Sequence, residues 1–181
     1  LVRLKEINSR GFGIHLMSRF LPIGKWQQNS LIFLEELGYD KPSPTDKEQT
    51  ELYVYNPETK SNMQFDFTPA GRYATFNQEK IEWLVTAATG SHKGEIEKDY
   101  GKSLKVEVGP TERVSLKGVP FAAKKYATYT AKGLKREQGW IYGFTEPYQI
   151  FILYTILEKE GTNDRQDMKK ILDAFEVIMK K

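Results

Sequence analysis

The stretch Tyr148–Leu157 constrains this chain more than any other. It is apolar on alternate residues twice over. Ile150, Ile152 and Tyr154 fall on one side, and Phe151, Leu153 and Leu157 on the other. A strand with two apolar faces must be covered on both, so it belongs at the centre of a sheet sandwiched between layers. A chain of 181 residues can bury such a strand without disulfides or metal staples.

Amphipathic segments that could supply the layers flank this strand. Asn77 is a good N-cap, with Phe76 before it poised to pack on Ile81. Ile81, Leu84, Val85 and Ala88 make one stripe that predicts a helix ended by Gly90. Residues 91–103 are polar and are expected to be exposed. At the other end Asn163 predicts a second helix start, with Gln166 at the capping-box position. Met168, Ile171, Leu172, Phe175 and Ile178 form its apolar stripe.

The other segments read mainly as strands. Gly11–Met17 alternates about Ile14 and Leu16, which predicts a first strand ended by Pro22 and Gly24. Ser30–Gly38 suits a short helix or a strand, with the Ser cap and Gly stop favouring helix. Residues 39–50 read as a charged loop. Leu52–Tyr55 and Met63–Phe67 predict a hairpin around the turn starter Asn56-Pro57, with Met63, Phe65 and Phe67 on one face. Leu104–Val108, Lys124–Ala131 and Trp140–Phe144 predict further strands. The fold class expected is α+β: an antiparallel β-sheet with helices packed on both faces, an α/β/α sandwich.

Three stretches carry a resemblance to a known family. Gly11-Phe12-Gly13-Ile14-His15-Leu16, the hairpin Leu52–Pro69 leading to Asn77, and the run from Tyr126 through Tyr148–Leu157 to Val177 resemble the PsbP family, extrinsic subunits of the oxygen-evolving complex. The match lies in element order and apolar spacing over most of residues 11–178. It implies a single PsbP-like domain over 1–181, with an inserted segment near 30–50. It also implies an accessory or docking protein, in the periplasm, cell envelope or an organelle lumen, rather than an enzyme. The chain opens on Leu1 rather than Met, so a natural start or targeting segment is expected upstream.

Several chemistries lack their motifs. With no cysteine, thiolate catalysis, disulfides and cysteine-ligated zinc are excluded. Gly101-Lys102-Ser103 ends like a P-loop, but Ile96 stands where the motif needs its first glycine. Gly11-Phe12-Gly13 has Leu16 in place of the third fingerprint glycine. No Gly-x-Ser-x-Gly elbow occurs. The only two histidines are His15, expected to point outward on its strand, and His92, expected in a polar loop. They lack metal-ligand spacing. No carboxylate pair is selected by spacing as an acid and base. No catalytic, metal or cofactor residue is therefore assigned, and no cofactor is expected. No apolar run reaches the roughly 18 residues of a membrane span.

Charge distribution is the positive signal. Net charge is only +3. Yet Arg113, Lys117, Lys124, Lys125, Lys132, Lys135 and Arg136 occur in one stretch with no acidic residue. Residues 35–58 are conversely rich in acid: Glu35, Glu36, Asp40, Asp46, Glu48, Glu51 and Glu58 against Lys41 and Lys47. A basic β-ribbon interleaved with Tyr126 and Tyr129 could steer an acidic protein or make peripheral contact with an anionic membrane. Nucleic acid is not expected, because the acidic stretch would oppose it. Equally, lysines are ordinary outward residues on strands. The leading expectation is a non-enzymatic binding domain docking through this basic region. One alternative is a small-ligand protein whose pocket between sheet and helix is lined by Trp26, Trp83 and Trp140. An enzyme of unrecognised type is the other.

Overall fold

The computed structural model describes residues 8–9, 12–16, 27–29, 50–56, 58–69, 76–146, 148–158 and 163–179. They form β1 (Asn8–Ser9), β2 (Phe12–Leu16), β3 (Gln27–Asn29), β4 (Thr50–Tyr55), β5 (Asn62–Pro69), α1 (Gln78–Ala87) and α2 (Thr89–Tyr100). Then follow β6 (Glu107–Val108), β7 (Glu112–Arg113), β8 (Phe121–Ala131), β9 (Leu134–Thr145), β10 (Tyr148–Glu158), α3 (Asp164–Ala174) and β11 (Val177–Met179).

The doubly apolar strand takes the central place its composition demands. β10 lies between β5 and β9 in an eight-stranded sheet of order β3-β4-β5-β10-β9-β8-β6, with β7 also paired to β8. All pairings are antiparallel. Ile150, Ile152, Tyr154 and Ile156 pack with Met63 and Phe65 of β5 and with Met168 and Ile171 of α3. On the opposite face, Phe151 and Leu153 lean on a cluster of Ile81, Val85, Ile96, Ala123, Ala127, Trp140 and Phe144. One face is thus covered by α1 and α2 and the other by α3, which is the α+β sandwich expected. A second sheet of β1, β2 and β11 joins the two ends of the chain.

The predicted cap at Asn77 is present, its side chain accepting from the Lys80 amide at 2.9 Å. Phe76 meets the Phe144 ring at 5.4 Å, beside Ile81 in the same cluster. Asn163 precedes α3 but makes no side-chain cap bond. Neighbouring Asp164 fastens that end instead. It is 3% exposed and accepts from Asn56 Nδ2 at 3.0 Å and Ser61 Oγ at 2.5 Å. The β4–β5 turn is thereby tied to the start of α3.

Three expectations are corrected. Residues 101–103 are exposed as expected, but 91–100 are not exposed throughout, because the helix expected to stop at Gly90 resumes as α2. The Trp140 indole donates to the Val85 carbonyl at 3.0 Å, at the junction of the two helices. Ala88 keeps right-handed helical angles there. Beyond the break His92 and Ile96 are buried, and tertiary burial outweighs the weak helix propensity of Gly90 and Gly94. Secondly, Ile178 lies in β11, not on the last helix. Phe175 turns extended, with φ −68° and ψ 131°, and stacks on Phe65 at 5.0 Å. The Val177 amide then bonds to the Lys117 carbonyl at 2.9 Å. Thirdly, of Leu104–Val108 only Glu107 and Val108 pair as strand. The helix favoured for Ser30–Gly38 and the insertion through residue 49 lie outside the described residues, as does the side chain of His15.

Candidate docking surface

The two-residue period of a strand decides where the basic stretch goes. On β8, Lys124 shares its side with Ala122, in the α3-side core, whereas Lys125 shares its side with Ala123 and Ala127 under α1 and α2. On β9, Lys135 lies on the side of Ile141 and Arg136 on the side of Trp140. A run of one sign in sequence is therefore divided between two faces.

Part of it is also neutralised by carboxylates from elsewhere. Arg113 Nε lies 2.6 Å from Glu82 of α1, Lys124 Nζ 3.0 Å from Glu112, and Lys135 Nζ 2.9 Å from Glu158. The hydrogen bond from Arg113 holds the Glu82 carboxyl below its ordinary range, and that from Lys135 does the same for Glu158. Water screens such exposed pairs, so they add little to stability. Lys117, Lys125, Lys132 and Arg136 have no carboxylate partner among the described residues. Lys125 reaches the Thr111 hydroxyl at 3.4 Å. Lys117 is exposed at the far end of the sheet, beside Glu176.

The β8–β9 hairpin gathers Lys132, Lys135 and Arg136 at one end of the sheet. Ala131 pairs with Leu134 across a two-residue loop. Lys132 and Gly133 both have positive φ, 53° and 74°, as the twist of a tight hairpin requires. Lysine at such an angle is strained, and here it holds an ammonium at the outermost point of the ribbon. Leu134 beside it is 41% exposed. The last turn of α2 reaches the same end, because Tyr100 lies 5.5 Å from the Tyr129 ring. Exposed Lys98 and Lys102 flank Tyr100 along the chain.

Just inside this end lies a buried acid that spacing did not single out. Glu137 is 4% exposed. It accepts from the Tyr154 hydroxyl at 2.9 Å and from Arg165 of α3 at 2.6 Å. Tyr154 can reach because it lies across Gly139, where an added Cβ would sit 2.1 Å from the ring. Burial drives the Tyr154 hydroxyl far above its ordinary pKa, with Glu137 adding to the shift. Both carboxylate oxygens are engaged and the phenol keeps its proton, so the group is a fastening between sheet and α3. The inward register of β9 was its sequence signal: Glu137 falls on the side of Ile141.

The histidine and tryptophan expectations are corrected. His92 is 7% exposed, not in a polar loop, and its ring stacks on Trp140 at 4.6 Å and Phe151 at 5.8 Å. Burial lowers its pKa, against a smaller opposing effect of Glu95. Trp140 is fully buried, whereas Trp83 is 70% exposed on the outer side of α1. The two do not converge on one pocket, and Trp26 lies outside the described residues. Among the described residues no three His, Cys, Asp or Glu side chains gather as metal ligands, and no helix is long and apolar enough to cross a membrane.

No family model matches the chain, and no curated protein matches it. Among solved structures it is similar to the solution structure of cyanobacterial PsbP (CyanoP) from Synechocystis sp. PCC 6803. That likeness covers 85% of this chain and 82% of the other, at 10% identity and a TM-score of 0.44.

Proposed function

We propose that this chain is a non-enzymatic accessory domain that docks on an acidic protein through the basic hairpin end of its sheet, in an extracytoplasmic compartment. The observation that carries the reading is at the hairpin. Lys132 and Arg136 lack any carboxylate partner among the described residues, and between them Leu134 is left 41% exposed. Unpaired cations around an apolar contact suit an acidic surface, since cations steer the encounter and the apolar group adds contact area. Arg113, Lys124 and Lys135 are already paired and play a smaller part. Lys117 and Lys125 stand away from the hairpin end.

The test is a pull-down from native extract at low and high salt, with Lys132→Asn compared to wild type. Asparagine accepts positive φ more readily than lysine, so the variant removes charge without harming the turn. Salt-sensitive capture of an acidic protein that Lys132→Asn weakens, and Lys117→Glu at the opposite end does not, is the expected result. Capture unchanged by Lys132→Asn, or insensitive to salt, would sink the reading.

A further inference from the structure

Arg136 presents an anomaly that the fold does not resolve. It sits on β9, directly opposite Tyr129 of β8 and Leu157 of β10. Both neighbours are buried, at 4% and 8% exposure. The Tyr100 ring of α2 covers the guanidinium, with Cζ 5.2 Å from the ring centroid. Arg136 is itself only partly exposed, and its Nε is shielded from solvent with no hydrogen-bond partner. A guanidinium has five donors in a planar fork. Shielding the Nε–H alone without an acceptor costs free energy that native proteins normally recover by pairing it.

The surroundings say what kind of acceptor would fit. The cation–π contact orients the guanidinium plane without using its N–H groups. The Tyr129 hydroxyl is pushed up to about 12, chiefly by burial, so it keeps its proton as a potential donor. It reaches Gln138 Oε1 only at 3.4 Å, a weak bond. A planar cation beside a protonated phenol matches a carboxylate, whose two oxygens accept from the two terminal nitrogens of the fork. Asp99, one residue before Tyr100, acts on Tyr129 electrostatically but is exposed and makes no ion pair with Arg136 among the described residues. Its charge, with the negative C-terminal end of α2, opposes a bound anion and keeps the affinity modest.

We infer that Arg136, with Tyr100 and Tyr129, forms a carboxylate-binding site at the hairpin end of the sheet. The inference rests on the docking reading for the identity of its partner, not for its chemistry. The carboxylate comes either from an acidic side chain of a protein or from a small free acid, and the experiment separates the two.

The arginine Nε–Hε resonances of the whole chain are followed by NMR during titration with sodium acetate, with a hexaglutamate peptide, and with sodium chloride at matched ionic strength. The Arg136 signal is assigned by its loss in Arg136→Lys. It is expected to move with a carboxylate and not with chloride. A shift with acetate points to a small acid; a shift with hexaglutamate alone points to an acidic chain. Tyr129→Phe, which keeps the ring, should weaken binding, and Asp99→Asn should tighten it. Arg136→Lys loses the fork and should bind hexaglutamate on the order of tenfold more weakly. An Arg136 signal unmoved by both carboxylates, or moved equally by chloride, overturns the site. The docking reading is tested separately: salt-sensitive capture weakened by Lys132→Asn can hold while this site fails. The acetate shift can likewise stand without any captured partner.

Discussion

At the scale of single residues, burial and pairing decide what each ionisable group contributes. His92 is the clearest case. Two influences oppose one another: desolvation lowers its pKa, and Glu95 raises it. Desolvation wins because the Glu95 side chain is 61% exposed and its oxygen is 3.6 Å away, so water screens the pair. The folded state therefore favours the neutral ring stacked between Trp140 and Phe151. In the unfolded chain the ring titrates near 6.5. Between that value and the lowered folded one, the unfolded state binds a proton that the folded state refuses. Stability from this group is thus present above pH 6.5 and is lost as pH falls through the folded pKa. Urea midpoints at pH 7.5 and 5.5 should differ more for wild type than for His92→Gln. Equal differences would mean that the ring takes its proton without disturbing the stack. None of this was legible in the sequence, where His92 stood among polar residues and only the fold brings Trp140 and Phe151 to it.

At the scale of elements, the reading succeeded where the pattern was periodic and failed where packing was long-range. β10, the β4–β5 hairpin and the start of α1 were legible because alternation and a cap fix them locally. The basic stretch was legible as residues but not as a surface. Strand period and carboxylates distant in sequence, Glu82 and Glu158, redistribute its charge. α2 was hidden by its glycines, and those glycines carry a prediction. Gly94 lies inside α2, is exposed, and an added Cβ would meet nothing within 4 Å. No packing reason holds a glycine there, so its entropic cost is recoverable. Gly94→Ala should stabilise the fold by about 1 kcal/mol, a rise of about 2–4 °C in Tm for a chain of this size. Gly139→Ala is the contrasting case, because its Cβ would enter the Tyr154 ring at 2.1 Å. A melting scan that shows Gly94→Ala unchanged or lowered would mean that the helix needs glycine for a contact the chain's own packing does not reveal.

At the scale of the whole molecule, the question is what makes α3 and the sheet one cooperative unit. Apolar packing supplies most of the contact, with Met168 and Ile171 on Ile150, Ile152 and Ile156. Packing alone is non-directional and does not fix where the helix begins. Two polar ties do that. Asp164 holds the β4–β5 turn through Asn56 and Ser61, and Arg165 holds Glu137 and Glu158. Of the two carboxylates that Arg165 holds, Glu137 is the costlier to lose its partners, being 4% exposed where the Glu158 side chain is 37% exposed. Glu137→Ala would leave the buried Tyr154 hydroxyl without its acceptor and take the central charge from Arg165. Breaking a buried pair costs on the order of 3–5 kcal/mol. The Arg165 side chain is 52% exposed, so water compensates part of its loss, and the expected cost is near the lower end, about 3 kcal/mol. Glu137→Gln keeps an acceptor for Tyr154 and should cost less. Urea unfolding followed by far-ultraviolet and near-ultraviolet signals distinguishes two outcomes. A single transition at lower urea in both signals means the tie sets global stability. Separate transitions mean α3 detaches first and Glu137 is what couples it to the sheet. A cost well under 1 kcal/mol would instead assign the placement of α3 to packing alone.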